Sequence, residues 1–584
     1  MAGLSKYFIA IFVIFYTFHC FAVFSYKNDE ERRIFYVFQN VLMVLTHLLG
    51  FYVLYTRSHD SNMIILCVLE EILLFAMIVL FRMLYPFASR LITNNICMLL
   101  SISFVMLARL SYARAWRQFL IAAFGVVLAL IIPHLTGSVR LIKKHYWIAG
   151  IIGLAILLVM MTVGSVTNGS KISLTIAGVT FLPSEFVRLL FIFFLAGLFT
   201  DEDQIDPQTG KPTIQQIAAS ALIGGAYVGI LAMCKDLGSA LMFFVIYIFM
   251  LYVTVKAPLV LIGGVGGMAA ASALGYRLFA HVRNRVRAWK DPFSDIEGAG
   301  YQVAQSIFAI GTGSWFGLGL MGGSPKSIPE VAKDFIFAAI SEEMGGLVAL
   351  CIILISMSNF LMFMNISMSI SDFYLRLMAV GLAVNYGFQV ILTIGGVTKF
   401  IPLTGITLPL VSYGGSSVLV TFVCFSIIQG LYVLSRQAAV DGEEEGYEDE
   451  DFYRKAGKAV YADRDASRSS EGDGRKQTRR EPDEYRHHER AHREPDEYRH
   501  HERAHREPEE YRRHPEERPY QREEPEDNDA RMAPEEDGMD LVTIAEPEFY
   551  SEIIYEPVYE TGHGRDNEKD IVNRDHKGSD REDQ

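Results

Sequence analysis

Apolar residues between positions 1 and 440 are gathered into blocks of about 20, each followed by a polar or charged connector. A block of this length crosses the hydrocarbon core of a membrane as an α-helix, whereas a membrane β-barrel would show alternating polarity, which these blocks lack. The first block follows a single basic residue, Lys6, and has no A-x-A cleavage pattern, so we expect a retained span rather than a signal peptide. The pattern predicts an all-α polytopic membrane bundle of about thirteen helices near residues 7–26, 34–56, 62–85, 92–109, 115–133, 146–165, 179–199, 213–233, 237–255, 258–281, 334–358, 373–395 and 405–434.

The connectors indicate the orientation of the bundle. The connector Val139–Lys144 is short and basic, and such loops remain in the cytoplasm. Alternation of spans then places residues 200–212 and the C-terminal tail inside, and it places outside residues 166–178, the turn Lys235–Asp236 and the long loop 282–333. The basic turn Arg109–Arg117 also falls outside, against the charge rule.

Beyond Asp441 the chain changes character. Residues 441–584 carry 46 acidic and 25 basic side chains, a net charge of −21, whereas the rest carries 20 acidic and 28 basic side chains, a net charge of +8. Residues 480–492 recur unchanged at 493–505, and the segment has too little apolar surface to offset the entropy of folding. We expect residues 437–584 to be a disordered cytoplasmic tail with 13-residue repeats, whose His pairs are solvated or, alternatively, bind metal. Nucleic-acid binding would require a basic exposed domain, and none is present.

The six cysteines lie in or beside apolar blocks, and none forms a CxxC pair. We interpret them as small core residues, which predicts neither a disulfide framework nor a dedicated metal site.

Ionisable residues inside or at the ends of apolar spans are costly to insert, so they are the first candidates for a functional site. Glu185 and Arg188 share one face of a predicted helix, either as site residues or as an ion pair that only allows the helix to insert. Asp236 begins another span and fits either a site residue or a helix N-cap, and Asp334 is placed similarly. The pair Glu342–Glu343 lies further along the span that Asp334 opens and needs partners.

The long connector 282–333 has the highest density of chemically useful residues. Cations suit a phosphate or pyrophosphate, and a carboxylate beside them can act as a general base. The alternative is a solvated amphipathic loop, although the length of the connector favours a function. Four cations precede three carboxylates here, in the order Arg283, Arg285, Arg287, Lys290, Asp291, Asp295 and Glu297.

Five motifs carry a family resemblance over roughly residues 92–435. They are Phe181–Glu185, similar to QPSE; Lys235–Leu241, similar to PDLGTAL; Asp291–Gln302, similar to DPW-x-DP-x-G-x-GYQ; Pro329–Gly345, similar to PEAHTDFIFA followed by EELG; and Pro402–Ser417, similar to PTTGITLPFVSYGGSS. In this order and spacing the chain resembles the SEDS family (shape, elongation, division and sporulation), whose members include FtsW, RodA and SpoVE.

The resemblance implies a peptidoglycan glycosyltransferase that polymerises lipid II at the bacterial plasma membrane. It implies a class B penicillin-binding protein as partner, with other division or elongation machinery. It also implies a ten-helix core, residues 91–436, with its active site on the outer face, which leaves residues 1–90 as about three accessory helices.

The resemblance also places candidate site residues. The family's essential loop aspartate falls on Asp295, with Asp291 and Glu297 as alternatives, and the family's helix lysine falls on Arg188, a planar donor instead of a point charge. Lys235 stands where the family has proline, and Ala332-Lys333 stands where it has His-Thr. We expect substrate contacts from Glu185, Arg188, Lys235, Asp236, Arg285, Tyr301, Gln302, Lys333, Asp334, Ser412, Tyr413, Gly414 and Gly415.

The expected chemistry is a single displacement with inversion, in which Asp295 is the general base and Arg188, Arg285 and Lys235 stabilise the leaving pyrophosphate. A divalent cation, Mg²⁺ or Mn²⁺, could share the phosphate charge, although the sequence shows no metal cage. Two alternatives stay open: a transporter that flips lipid II, and a non-catalytic scaffold for the partner synthase.

Overall fold

The computed structural model describes residues 2–440, except positions 27, 139–142, 168–169, 177–178, 202, 204 and 207–210. The acidic tail from residue 441 onward, with its repeats and predicted disorder, lies outside the described residues, as does part of the basic connector that suggested the orientation. Both remain predictions. Residues 437–440, which the sequence assigns to the disordered tail, are instead helical.

Helices make up most of the described chain, and twelve of them are long and apolar enough to cross a membrane. The helix α7 is shorter, with 17 residues, and packs inside the bundle against α6, α9 and α15. The described helices are α1 (Ala2–Ser25), α2 (Asp29–Ser58), α3 (Asn62–Leu84), α4 (Arg90–Leu110), α5 (Tyr112–Leu135), α6 (Tyr146–Val163), α7 (Pro183–Phe199), α8 (Ile214–Met233), α9 (Leu237–Val255), α10 (Pro258–Leu278), α11 (Ala280–Lys290), α12 (Tyr301–Gly313), α13 (Ile336–Glu343), α14 (Gly346–Ser369), α15 (Phe373–Val397) and α16 (Gly415–Val440). The predicted polytopic helical bundle is confirmed.

One small sheet interrupts the helices. The strands β1 (Ser165–Thr167), β2 (Ser170–Ile176) and β3 (Val179–Phe181) form an antiparallel meander in the order β1-β2-β3. Leu174 lies opposite Phe181, the last residue of β3, and α7 begins two residues later at Pro183. The segment 166–178, expected as a plain connector, is therefore part of a hairpin structure, and the predicted span 179–199 becomes a strand followed by a helix.

Of two other predicted spans, one is divided into two helices and the other begins later than expected. The span 334–358 divides into α13 and α14 at Gly345, where φ is 97°. A Cβ on Gly345 would lie 2.5 Å from the backbone nitrogen of Gly317, so the break lets two backbones meet. The span 405–434 begins only at Gly415, because residues 398–414 form an irregular segment that contains Pro402 and Pro409. The loop 282–333, in turn, contains α11 and α12.

The accessory helices α1–α3 are packed onto the core. Helix α1 contacts α14, α2 contacts α4, and α3 contacts both α4 and α5. Because neighbours surround α4, the apolar stretch of that helix is completely buried.

Buried polar side chains join the accessory helices to the core. Asn95 of α4 accepts a hydrogen bond from the Tyr16 hydroxyl at 3.0 Å and donates one to the Asn359 carbonyl oxygen at 2.9 Å. The neighbouring Asn94 donates to the Gln39 carbonyl oxygen at 2.9 Å. Such bonds between helices hold register where lipid and protein are equally apolar. The sequence boundary near residue 90 is therefore crossed by continuous packing.

A candidate active site on the loop face

The described helices alternate between two ends of the bundle. We call the end at which residues 282–333 lie the loop face, and the opposite end, where α16 ends at Val440, the tail face. The candidate site lies on the loop face, where the first residues of α7 and α9 meet α11 and the segment that precedes α13.

The first turn of α7 carries the buried pair Glu185 and Arg188. Pro183 occupies the first turn of the helix. This position suits proline, because the backbone N–H groups of the first turn have no acceptor within the helix and proline lacks an N–H. The Glu185 Oε1 and Arg188 Nη2 atoms are 4.0 Å apart, and both side chains are buried. Among the described residues, Glu185 Oε2 and Arg188 Nε are buried without a hydrogen-bond partner. An ion pair therefore exists, but it leaves polar atoms that a bound ligand could satisfy.

Asp236 connects the starts of α9 and α7. Its Oδ1 accepts the Ser239 backbone N–H at 3.1 Å as an N-cap, and its Oδ2 accepts the Ser184 hydroxyl at 3.5 Å. It also lies within electrostatic range of Glu185 and Arg188. The cap interpretation is correct, and the same carboxylate joins the charged cluster. Lys235, directly before it, has a left-handed backbone with φ 63°.

Arg285 of α11 lies within electrostatic range of both Asp236 and Asp334. Burial lowers the pKa of the Arg285 guanidinium, and the charges of Asp236 and Asp334 oppose that shift. The Arg285 Nη1 atom also donates to the Thr404 carbonyl at 3.4 Å. Burial and the neighbouring Glu330 raise the pKa of Asp334 to about 6, against the opposing charges of Lys333 and Arg285. Titratable groups perturbed by burial and by specific charges are typical of functional sites.

The segment before α13 is held by the motif that precedes α16. The Ser412 hydroxyl donates to the Lys333 carbonyl at 2.6 Å, and the Tyr413 N–H donates to the Ala332 carbonyl at 2.8 Å. Ser412 is buried, whereas Tyr413, Gly414 and Gly415 are partly exposed. The exposed Lys333 side chain pairs with Glu330 at 3.0 Å. Ser412 and Tyr413 therefore position the chain next to Asp334 through its backbone.

The three loop carboxylates lie in an exposed turn between α11 and α12. Asp291 Oδ1 accepts the backbone N–H groups of Phe293 and Ser294, at 3.2 and 3.3 Å, so it initiates the turn. Asp295 accepts the Ala299 N–H through Oδ2 at 3.0 Å. A Cβ on Gly298 would lie 2.4 Å from Asp295 Oδ1, so a larger residue there would displace this carboxylate.

The neighbouring polar residues of the loop have other contacts. Arg283 donates to the Arg277 carbonyl at 3.0 Å, and Arg287 donates to the Asn284 side chain at 2.6 Å. In the described part of the chain, neither forms an ion pair with Asp295. Tyr301 is exposed, with its hydroxyl 3.3 Å from the Ser327 carbonyl, and Gln302 is partly exposed.

A second buried ion pair was not identified from the sequence. Arg109 at the end of α4 contacts Glu343 of α13 at 2.9 Å, and Glu343 Oε1 also accepts the Gly323 N–H at 3.3 Å. Glu342 accepts the Ser324 N–H at 2.9 Å. The partners that the two glutamates required are thus a distant arginine and loop backbone. Glu343 therefore compensates the charge of Arg109, one of the cations in the basic turn Arg109–Arg117.

Within the residues that the structure describes, no group of three or more His, Cys, Asp or Glu side chains is placed to hold a metal ion. The predicted divalent cation, which would arrive with the substrate pyrophosphate, stays a prediction.

The fold and the charged cluster define a polytopic membrane protein with a polar site at one end of a helical bundle. The chain belongs to the FtsW/RodA/SpoVE family, described as "Cell cycle protein", whose model matches residues 82–437. The family assignment from the motifs is confirmed, and the match excludes nearly all of α1–α3.

Three relatives illustrate the range of the family. Peptidoglycan glycosyltransferase RodA of Mycobacterium tuberculosis is 31% identical over 54% of this chain and 68% of its own length. Stage V sporulation protein E of Bacillus subtilis is 32% identical over 56% of this chain and 88% of its own length. Probable peptidoglycan glycosyltransferase FtsW of Halorhodospira halophila is 30% identical over 52% of this chain and 78% of its own length.

A solved structure has the same fold. It is described as "Structural coordination of polymerization and crosslinking by a peptidoglycan synthase complex". The matched chain is 23% identical, with a TM-score of 0.51, over 60% of this chain and 98% of the solved chain.

Proposed function

We propose that this protein is a peptidoglycan glycosyltransferase that polymerises lipid II into glycan strands. The observation that carries the proposal is the convergence of Glu185, Arg188, Asp236, Arg285 and Asp334 on the loop face, from segments far apart in sequence. This cluster lies in a chain whose family includes relatives named as peptidoglycan glycosyltransferases.

The proposed reaction is one displacement. The 4-hydroxyl oxygen of the acceptor sugar forms a bond to the anomeric carbon of the donor, and the bond from that carbon to the pyrophosphate oxygen breaks. Undecaprenyl pyrophosphate leaves with the bonding electrons, and the hydroxyl proton passes to Asp295. The anomeric configuration inverts because the enzyme forms no covalent intermediate.

The geometry supports different roles for the two regions. Arg188 pairs with Glu185 at 4.0 Å, and Arg285 lies within electrostatic range of Asp236 and Asp334, so both cations are pre-organised for a pyrophosphate. Lys235 lies next to Asp236 and adds a cation at the same end of α9. Asp295 is exposed, so its carboxylate is accessible to the sugar headgroup of an acceptor at the membrane surface.

The orientation is part of the proposal: the loop face is extracytoplasmic and the tail is cytoplasmic, in the bacterial plasma membrane. A cysteine at Ser294, in the exposed turn, should react with a membrane-impermeant thiol reagent in intact cells, whereas one at Ser467 should not. The six native cysteines can stay in place because all are buried. The reverse labelling pattern would contradict an external active site.

A class B penicillin-binding protein is the proposed partner, because a glycan polymer needs crosslinking and because the solved relative comes from a complex that coordinates polymerization with crosslinking. Other division or elongation proteins would recruit the pair.

The test is glycan-chain formation from labelled lipid II by the purified protein, with and without the partner, and with Asp295→Asn as the control. Polymer from the wild type alone, lost in the variant, supports the proposal. Transport of lipid II across vesicles without polymer would favour the flippase, and polymer formed equally by wild type and variant would remove Asp295 from the mechanism.

A further inference from the structure

A cavity of about 790 Å³ opens on the tail face, at the end of the bundle opposite the candidate active site. It lies between the accessory helices and the core. Its walls come from the end of α1, the start of α2, the connector before α4, the junction of α14 and α15, and the last turns of α16. The glycosyltransferase reaction proposed above makes no use of this cavity.

The cavity is lined by cations. Arg32, Arg90 and Arg436 contribute three positive charges, whereas Asp372 contributes one negative charge. That carboxylate also caps α15, because its Oδ1 accepts the Leu375 N–H at 3.1 Å, so the net charge of the lining is positive by two. Serine hydroxyls, including that of Ser371, line the same walls.

A further arginine, Arg82, lies near Arg90 of the cavity lining. Arg82 lies close enough to Arg90 and Arg33 for the like charges to repel one another. Cations are common where a membrane protein meets the cytoplasm, and this rule accounts for their presence on the tail face. It does not account for a cavity around which they are gathered.

The chain itself supplies a complementary segment. Ala438 and Ala439, in the last turn of α16, line the cavity, so the tail begins at its rim. Residues 441–451 contain eight acidic side chains and no basic one. Eleven extended residues reach up to roughly 36 Å, more than enough to fold back over the cavity. Because the segment is tethered there, its effective concentration at the cavity is far above that of a free ligand.

We propose that the acidic run 441–451 occupies this cavity and contacts Arg32, Arg90 and Arg436. The contact ties the end of α16 to the start of α2, and so links the tail to the accessory helices. Ionic contacts at a solvated rim are screened by salt, so the docking weakens as the ionic strength rises. The inference is independent of the reaction on the loop face.

The experiment is crosslinking between engineered cysteines in membranes, with the full chain. One variant pairs Glu444→Cys with Ser371→Cys at the cavity, and the matched control pairs Glu444→Cys with Lys211→Cys, an exposed position on the same face. A short bis-maleimide should link the first pair at least ~10-fold faster than the second, because a tenfold preference means that the tail is docked in the cavity most of the time. High salt should remove the difference.

The charge requirement is tested on the tail, where substitution leaves the bundle unchanged. With the seven remaining acids of residues 441–451 replaced by Asn or Gln, the link to Ser371→Cys should slow to the rate of the control pair. Equal rates for both pairs, or a fast link that survives this neutralisation, would overturn the proposal. Phosphatidylglycerol in the vesicle is the alternative occupant. If Ser371→Cys becomes more protected from the maleimide as the phosphatidylglycerol content rises, whether or not the acidic run is intact, the proposal is overturned and the cavity is assigned to a lipid headgroup.

Discussion

Two groups of carboxylates lie on the loop face, and their surroundings differ. Asp236 and Asp334 lie within electrostatic range of Arg285 and are partly shielded from water. Asp291 and Asp295 are exposed in the turn after α11, where their contacts are backbone N–H groups. Both groups come from motifs of the same family resemblance, so their sequence signal is of the same kind.

This difference in exposure suits the two groups of carboxylates to different tasks: the shielded group to positioning a cation, and the exposed group to transferring a proton. A carboxylate that fixes an arginine must keep its partner, and burial strengthens that interaction. A general base must meet the proton that it removes, which favours an accessible position. We therefore assign pyrophosphate positioning to the buried cluster and proton transfer to the exposed turn, and the predictions below test this division in order of expected effect.

The largest effect is expected from Asp295→Asn, which keeps the size of the side chain but cannot accept the proton. Polymerisation should fall by ~10²-fold or more, the usual scale for loss of a general base, while lipid II binding changes much less. The controls are Asp291→Asn, which can still accept the N–H groups that start the turn, and Glu297→Gln. Full activity in Asp295→Asn with loss in Asp291→Asn would move the catalytic role four residues upstream.

A smaller effect is expected from Arg285→Gln, which removes a cation from the buried cluster. A hydrogen bond to a charged group contributes about 1.5–3 kcal/mol, so lipid II binding should weaken by at least ~10-fold. The matched control is Arg287→Gln on the same helix, because that side chain is exposed and contacts Asn284. Equal losses in both variants would indicate a diffuse electrostatic effect of the loop rather than a specific site.

A pH effect of a few degrees in melting temperature is expected at Asp334, whose pKa is raised to about 6 by burial. An unfolded aspartate has a pKa of about 3.9, so between about pH 4 and 6 the folded state binds a proton that the unfolded state does not. Asp334 therefore favours folding below this window, and its contribution is lost as the pH rises through the folded pKa. Relative to the wild type, Asp334→Asn should gain thermal stability between pH 4.5 and 7.5. Asp334→Glu, which still titrates, should not. The opposite trend would mean that attraction to Arg285 outweighs burial.

No change in catalysis is expected from truncation after Ala439, because the removed residues leave from the tail face and both carboxylate groups lie on the loop face. Polymerisation by the inserted, truncated protein should match that of the full chain, while localisation or partner binding can change. Loss of polymerisation at matched membrane insertion would contradict the separation of the two faces.

Much of the site could be predicted from local pattern. Glu185 and Arg188 are three residues apart, so helical geometry alone places them on one face, and the structure does so. Asp236 before an apolar run predicts an N-cap, which it forms. The break at Gly345 could not be predicted in this way, because its cause is the approach of Gly317, 28 residues earlier in the chain.

The sequence by itself determined most of the membrane spans, the charged motifs at their ends and the family, because hydrophobic length and helical spacing are local properties of the chain. Only the tertiary structure decided which charges meet. Arg109 contacts Glu343, Arg285 comes within electrostatic range of Asp236 and Asp334, and the last turn of α16 lines a cavity that contains three arginines. The physical reason is that a charge near the membrane must be paired or solvated, and its partner is selected by helix packing across the whole bundle rather than by neighbours in sequence.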